Sequence, residues 1–309
     1  MSLAILYTII TLSAIGITAA VILYITAQKF KVYEDPRIDQ VDEALPGANC
    51  GGCGFAGCRA FAEACVSKNE LSDLFCPVGG NDCMNEVAGI LGLEAVKKDP
   101  RIAVVRCNGA CENRPKTNVY EGASSCAIAS SLYGGETGCA FGCLGHGDCV
   151  DVCDFDALRM NPETGLPEVI EENCVACGAC VDACPKDLIE LRRKFPKDRK
   201  IYVSCRNQDK GAAARKACTV ACIGCGKCVK ECPFDAITLE NNLAFIDSEK
   251  CKLCRKCVAV CPTNAIVEEN FPPRKVKAEK PAAEKAKKPV VKKEKADEVS
   301  PKDSSEQKN

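Results

Sequence analysis

The stretch Cys222-Ile-Gly-Cys225-Gly-Lys-Cys228-Val-Lys-Glu-Cys232-Pro233 decides how this chain is read. Its spacing, C-x2-C-x2-C-x3-C-P, is the one with which a polypeptide wraps [4Fe–4S] clusters. Two residues between ligands let the chain follow one face of a cube while its amides point at the sulfides. The fourth cysteine lies too far along to close the same cube and reaches a neighbouring one. The proline after it stops the chain from continuing as helix. Two further runs share the pattern: Cys174-Cys177-Cys180-Cys184-Pro185 and Cys251-Cys254-Cys257-Cys261-Pro262. Zinc needs only two C-x2-C pairs and no C-P ending.

Outward from these runs the chain reads as an imperfect internal repeat. Val104-Val105-Arg106-Cys107 resembles Ile201-Tyr202-Val203-Ser204-Cys205, a short strand ending in cysteine. Cys139-x3-Cys143-Leu-Gly-His-Gly-Asp-Cys149 matches Cys218-x3-Cys222-Ile-Gly-Cys-Gly-Lys-Cys228, and Gly165–Cys174 matches Asn242–Cys251. Each half thus has the layout of a two-cluster ferredoxin. The crossing rule assigns Cys222, Cys225, Cys228 and Cys261 to one cluster, and Cys232, Cys251, Cys254 and Cys257 to its partner. In the first half it joins Cys153 to Cys174, Cys177 and Cys180. The remaining run departs from the pattern, with His146 where a cysteine is due and Asp154 in place of proline. Cys139 stands four residues before Cys143, so Cys139, Cys143, Cys149 and Cys184 are expected to form this set. His146 is read as solvated, with ligation or hydrogen-bond tuning as the alternatives.

A fifth set precedes the repeat. In LPGANCGGCGFAGCRAFAEA, from Leu45, Cys50, Cys53 and Cys58 are joined by Cys76 of FCPVGG. The glycines let backbone amides approach a cluster closely. The G-x-G-like fragments here are no dinucleotide site, since no strand precedes them and no acidic residue follows at the required distance. About five [4Fe–4S] clusters, about 20 irons, are expected, and no other metal. Cys65, Cys83, Cys107, Cys111, Cys126, Cys205 and Cys218 are left over. They are read as buried thiols, with an additional metal site on Cys107, Cys111 and Cys126 as an alternative. The 27 cysteines among 309 residues argue against a disulfide scaffold, because such close neighbours would make strained bridges.

The ends of the chain differ from its middle. Ser2 to Gln28 holds no charged residue, with Lys29 and Lys31 following at once, and the run matches the length of a bilayer span. A cleaved signal peptide would need a charged n-region and a shorter apolar run. The positive-inside bias places the cysteines in the cytoplasm. Residues 271–309 carry 12 basic and 7 acidic residues, with Phe271 the only aromatic, a composition expected to be disordered. The expected fold is α+β: a transmembrane anchor at 1–28, a small helical [4Fe–4S] domain at 29–100, ferredoxin-like modules at 101–200 and 201–270, and the tail.

The anchor, the LPGANCGGCGFAGC…CPVGG segment and the ferredoxin motifs behind it together resemble the B subunits of Rnf electron-transport complexes over residues 1–270. The resemblance implies a long form of that subunit, with a second ferredoxin module. It implies an electron carrier within a translocase, an ion-translocating ferredoxin:NAD oxidoreductase of the bacterial cytoplasmic (inner) membrane. Soluble ferredoxin and other membrane and flavin-containing subunits are the implied partners, with no nucleic acid. Another membrane oxidoreductase, such as one that reduces a redox-sensing regulator, is the alternative. The chain itself shows no Rossmann fingerprint, no phosphate loop and no multi-span channel, and no catalytic residue is expected.

Overall fold

The uncharged N-terminal run forms helix α1 (Leu3–Lys29). Leu6–Lys29 is long and apolar enough to cross a membrane by length and composition, and its side chains are exposed. The computed structural model describes residues 3–30, 34–68 and 70–273. The tail expected over 271–309 therefore lies, from residue 274 on, outside the described residues.

Three helices follow. In α2 (Pro36–Ala44), the Asp35 carboxylate accepts from the Arg37 N–H and proline occupies the first turn, where its missing donor costs nothing. Helices α3 (Cys58–Ser67) and α4 (Gly80–Leu91) each bury one stripe: Phe61, Ala62 and Cys65 on the first, Met84, Val87 and Ala88 on the second. That helical period turns both stripes onto Val41, Leu71 and Leu74 in one apolar cluster. Gly92 ends α4 in the left-handed region at φ 68°, which glycine tolerates without a steric cost.

Beyond α4 one pattern of elements occurs twice. The first pass is β1 (Arg101–Val105), α5 (Cys126–Leu132), α6 (Asp148–Asp151), β2 (Leu158–Asn161), β3 (Leu166–Val169), α7 (Ala179–Asp182) and β4 (Ile189–Arg193). The second is β5 (Lys200–Val203), α8 (Gly211–Ala217), α9 (Lys227–Lys230), β6 (Ile237–Glu240), β7 (Leu243–Ile246), α10 (Lys256–Val260) and β8 (Ile266–Glu269). In each pass the outer strands pair antiparallel, Arg101 facing Arg193 and Lys200 facing Glu269, and the inner two form a hairpin. Two-stranded ribbons are marginal alone. Here they close over cores in which cysteines are members, such as Cys149 and Cys180 beside Val105, Leu158 and Ile189.

Buried basic residues join the two passes. Arg106, 1% exposed, pairs with Glu190 at 3.1 Å and donates to the carbonyls of Val203 (3.2 Å) and Cys205 (3.4 Å). Arg192 pairs with Glu190 at 2.5 Å and donates to the Ile246 carbonyl. Both guanidinium groups lie over the Phe245 ring, at 5.1 and 5.7 Å. Burial lowers the Arg106 pKa, and Glu190 opposes that shift.

Candidate iron–sulfur ligand sites

The ligand runs share a backbone signature that their spacing does not display. The residues flanking the middle cysteine are left-handed in every run: Ala176 and Gly178, Gly224 and Gly226, Leu253 and Arg255. Gly145 and Gly147 flank His146 in the same way. Three residues after the fourth cysteine stands a further left-handed Asp or Asn: Asp156, Asp187, Asp235 and Asn264, with φ between 48° and 54°. Asp and Asn tolerate this region better than other side chains with a β-carbon. Asp154, in the place of proline, leaves that turn unchanged at Asp156.

These turns bring the cysteines to the walls of cavities. Cys50, Cys53, Cys58 and Cys76 line one of about 310 Å³. Cys222, Cys225, Cys228 and Cys261 line another of about 350 Å³, and Cys232, Cys251, Cys254 and Cys257 a third of about 310 Å³. Cys153, Cys174 and Cys177 stand within electrostatic reach of Cys180. Among the described residues no group of three His, Cys, Asp or Glu side chains closes round a point as one metal ion requires.

One expected set is arranged differently in the structure. The cavity holding Cys143, Cys149 and Cys184 takes Cys126 as its fourth cysteine, and Cys139 does not line it. Cys139 instead lines a separate cavity of about 320 Å³ with Cys107, Cys205 and Cys218. The reason lies in Asp148, beside Cys149. Its carboxylate accepts from the N–H groups of Cys126 (2.7 Å) and Ala127 (3.0 Å) and from the Ser125 hydroxyl (2.9 Å). Burial would raise the Asp148 pKa, but these donors hold it below the usual value. The start of α5 is thus pinned where Cys126 lines the cavity with Cys143, Cys149 and Cys184. His146 does not line the cavity; its ring packs edge-on against Tyr120 at 5.5 Å.

The left-over cysteines separate in the same way. Cys126 joins one cavity and Cys107, Cys205 and Cys218 another, so Cys107, Cys111 and Cys126 do not share a site. Cys111 is exposed, its thiol 3.6 Å from the Thr164 carbonyl. Cys65 is buried in the helical core. The Cys83 thiol donates to the Ala44 carbonyl (3.4 Å), and its interaction with Cys76 lowers the Cys76 pKa and raises that of Cys83.

Burial, reinforced by neighbouring cysteines, pushes the thiols of Cys143, Cys149, Cys180 and Cys257 up to about 12. Sites of this kind suit thiolates only when a cation-rich core offsets their charge. The chain supplies amide donors to the sulfurs as well: Ala157 N to Cys153 (3.4 Å), Leu188 N to Cys184 (3.3 Å) and Gly79 N to Cys76 (3.4 Å). Such bonds orient a ligand and shift the potential of a cluster it holds. Four cysteines lining one cavity, with amide donors on their sulfurs, fit a [4Fe–4S] cluster.

The sets follow one another in space. Cys50 is within electrostatic reach of Cys177, and Cys180 of Cys149. Cys143 is likewise near Cys107, Cys205 near Cys222, and Cys257 near Cys228.

Family comparisons agree with this geometry. A model described as a 4Fe-4S dicluster domain matches residues 138–188 and 221–265. A 4Fe-4S double cluster binding domain model matches 173–235, and an Fe-S cluster model matches 45–77. Fold and site define an iron–sulfur protein of the ferredoxin type, with several [4Fe–4S]-binding units. The chain is 48% identical to the B subunit of the Na(+)-translocating ferredoxin:NAD(+) oxidoreductase complex of Acetobacterium woodii, over 81% of this chain and 73% of that protein. It is 42% identical to the B subunit of the ion-translocating oxidoreductase complex of Methanosarcina acetivorans, over 81% and 93%. With the B subunit of the proton-translocating ferredoxin:NAD(+) oxidoreductase complex of Clostridium ljungdahlii it shares 42%, over 79% and 84%. The chain belongs to the family of ion-translocating oxidoreductase complex B subunits.

Proposed function

We propose that this chain is the electron-relay subunit of an ion-translocating ferredoxin:NAD oxidoreductase complex. The observation that carries the reading is the succession of neighbouring cysteines, from Cys50 through Cys177, Cys180 and Cys149 in the first half and from Cys228 to Cys257 in the second, in a chain of this family. Bound [4Fe–4S] clusters supply the one-electron chemistry. The protein's part is to fix their separation, to place amide donors on their ligands and to exclude water.

In this reading the ligand sets are Cys50/Cys53/Cys58/Cys76, Cys126/Cys143/Cys149/Cys184, Cys153/Cys174/Cys177/Cys180, Cys222/Cys225/Cys228/Cys261 and Cys232/Cys251/Cys254/Cys257. Residues 101–200 and 201–270 act as tandem ferredoxin-like modules and 29–100 as a separate cluster domain. Helix α1 anchors the chain, with the basic residues after it on the cytoplasmic side.

Electrons enter at the second module. Cys225 and Cys254 are exposed there, flanked by exposed Lys227, Lys252 and Lys256, which suits an anionic soluble carrier such as ferredoxin. They leave through the Cys50 set, nearest the anchor in sequence, towards membrane and flavin-containing subunits. The direct experiment mixes reduced ferredoxin with the intact complex and follows docking as salt rises. Replacing Lys252 and Lys256 with Gln is expected to slow association several-fold and to flatten its salt dependence. An unchanged salt dependence would place the port elsewhere.

A further inference from the structure

The cavity shared by Cys107, Cys139, Cys205 and Cys218 has no place in the five-set scheme, yet it has the size of the others: about 320 Å³ against about 310 to 410 Å³. Its cysteines are related by the internal repeat. Cys107 follows β1 as Cys205 follows β5, and Cys139 precedes Cys143 by the interval at which Cys218 precedes Cys222. The cavity is therefore built from one equivalent pair out of each module.

We propose that this cavity holds a sixth [4Fe–4S] cluster, ligated by Cys107 and Cys139 of the first module and by Cys205 and Cys218 of the second.

The walls suit an anionic cluster. Asn207, 1% exposed, donates through Nδ2 to the Cys139 sulfur at 3.4 Å, and the Cys222 N–H donates to the Cys205 sulfur at 3.4 Å. Arg114 lines the cavity, and its Nε is buried without a protein partner. The seam around the cavity is tied on both sides, by Asn108 N to the Ser204 carbonyl (3.2 Å) and by Thr219 N to the Asn113 carbonyl (3.0 Å).

Position gives the site a purpose. The first module's Cys143 reaches Cys107, and the second module's Cys222 reaches Cys205. A cluster here closes the gap between the modules. The proposal rests on reading the other cavities as cluster sites, and the two ideas fail differently.

Iron and acid-labile sulfide are counted on the anaerobically purified full chain in detergent. About 24 irons are expected, falling to about 20 in Cys107→Ser/Cys218→Ser and staying at the wild-type level in Cys111→Ser. A wild-type value of about 20 overturns the sixth site and leaves the relay standing, even if the double variant fails to fold. A double variant that keeps about 24 overturns it as well. A chain without iron overturns both.

Discussion

A β-carbon placed on Gly52 would lie 2.8 Å from the Cys177 carbonyl oxygen and 2.9 Å from its Cα. The backbone of the N-terminal cysteine set thus sits directly on the backbone of the first ferredoxin-like run. The need for glycine is steric, since any side chain at this point would hold Cys50 away from Cys177. Gly52→Ala must push the two backbones apart, at about 1 to 3 kcal/mol for such overpacking. The expected outcome is a lower melting temperature, unchanged iron content and slower electron exchange between the two sets. Rapid-mixing spectroscopy of the reduced clusters measures the last.

Arg106 is the second tie, this time between modules. Arg106→Met removes the ion pair with Glu190 and the bonds to the Val203 and Cys205 carbonyls. Loss of one partner from a buried pair costs about 3 kcal/mol. Arg192 still faces Glu190, so the loss belongs at the lower end of the range for such changes. Denaturant unfolding of the variant reads it directly.

Asp148 governs the proposed set that includes Cys126. In Asp148→Ala the N–H groups of Cys126 and Ala127 lose their acceptor, and α5 is free to withdraw Cys126. One cluster is then expected to become labile, with about four irons lost on gel filtration. Electron paramagnetic resonance gives the matching test. Cys126→Ser and Cys143→Ser should perturb one and the same signal, and two different signals would separate these cysteines.

His146 carries the opposite expectation. His146→Ala should leave the iron content and every cluster signal unchanged, because the ring meets Tyr120 outside the cavity. The main loss is the aromatic pair, about 0.5 to 1.5 kcal/mol of stability.

The ligand runs were legible because cluster ligation constrains spacing along the chain. Cys222, Cys225 and Cys228 must lie within one turn of backbone, so the sequence displays them. Cys126 was hidden because it comes from a separate helix 17 residues before Cys143, and no local spacing ties the two. A signal was present all the same. Asp148 stands where the other runs have Ala179, Lys227 and Lys256, and an acid at that point is what holds α5. The meeting of Cys107 and Cys205 was equally out of sight, since the repeat announces equivalence between modules but not that equivalent residues touch. Arg106 and Arg192 gave no sign either, because a buried arginine reads like a surface one until its acceptors are known.

The relay itself is tested most directly by ferredoxin-dependent NAD reduction in membrane vesicles carrying the whole complex. Cys53→Ser and Cys225→Ser interrupt the path in the N-terminal set and in the second module. Each is expected to abolish the activity, while NADH oxidation with an artificial acceptor, which bypasses this chain, continues. Full ferredoxin-dependent activity in both variants, with iron lost from the altered sites, would contradict the account.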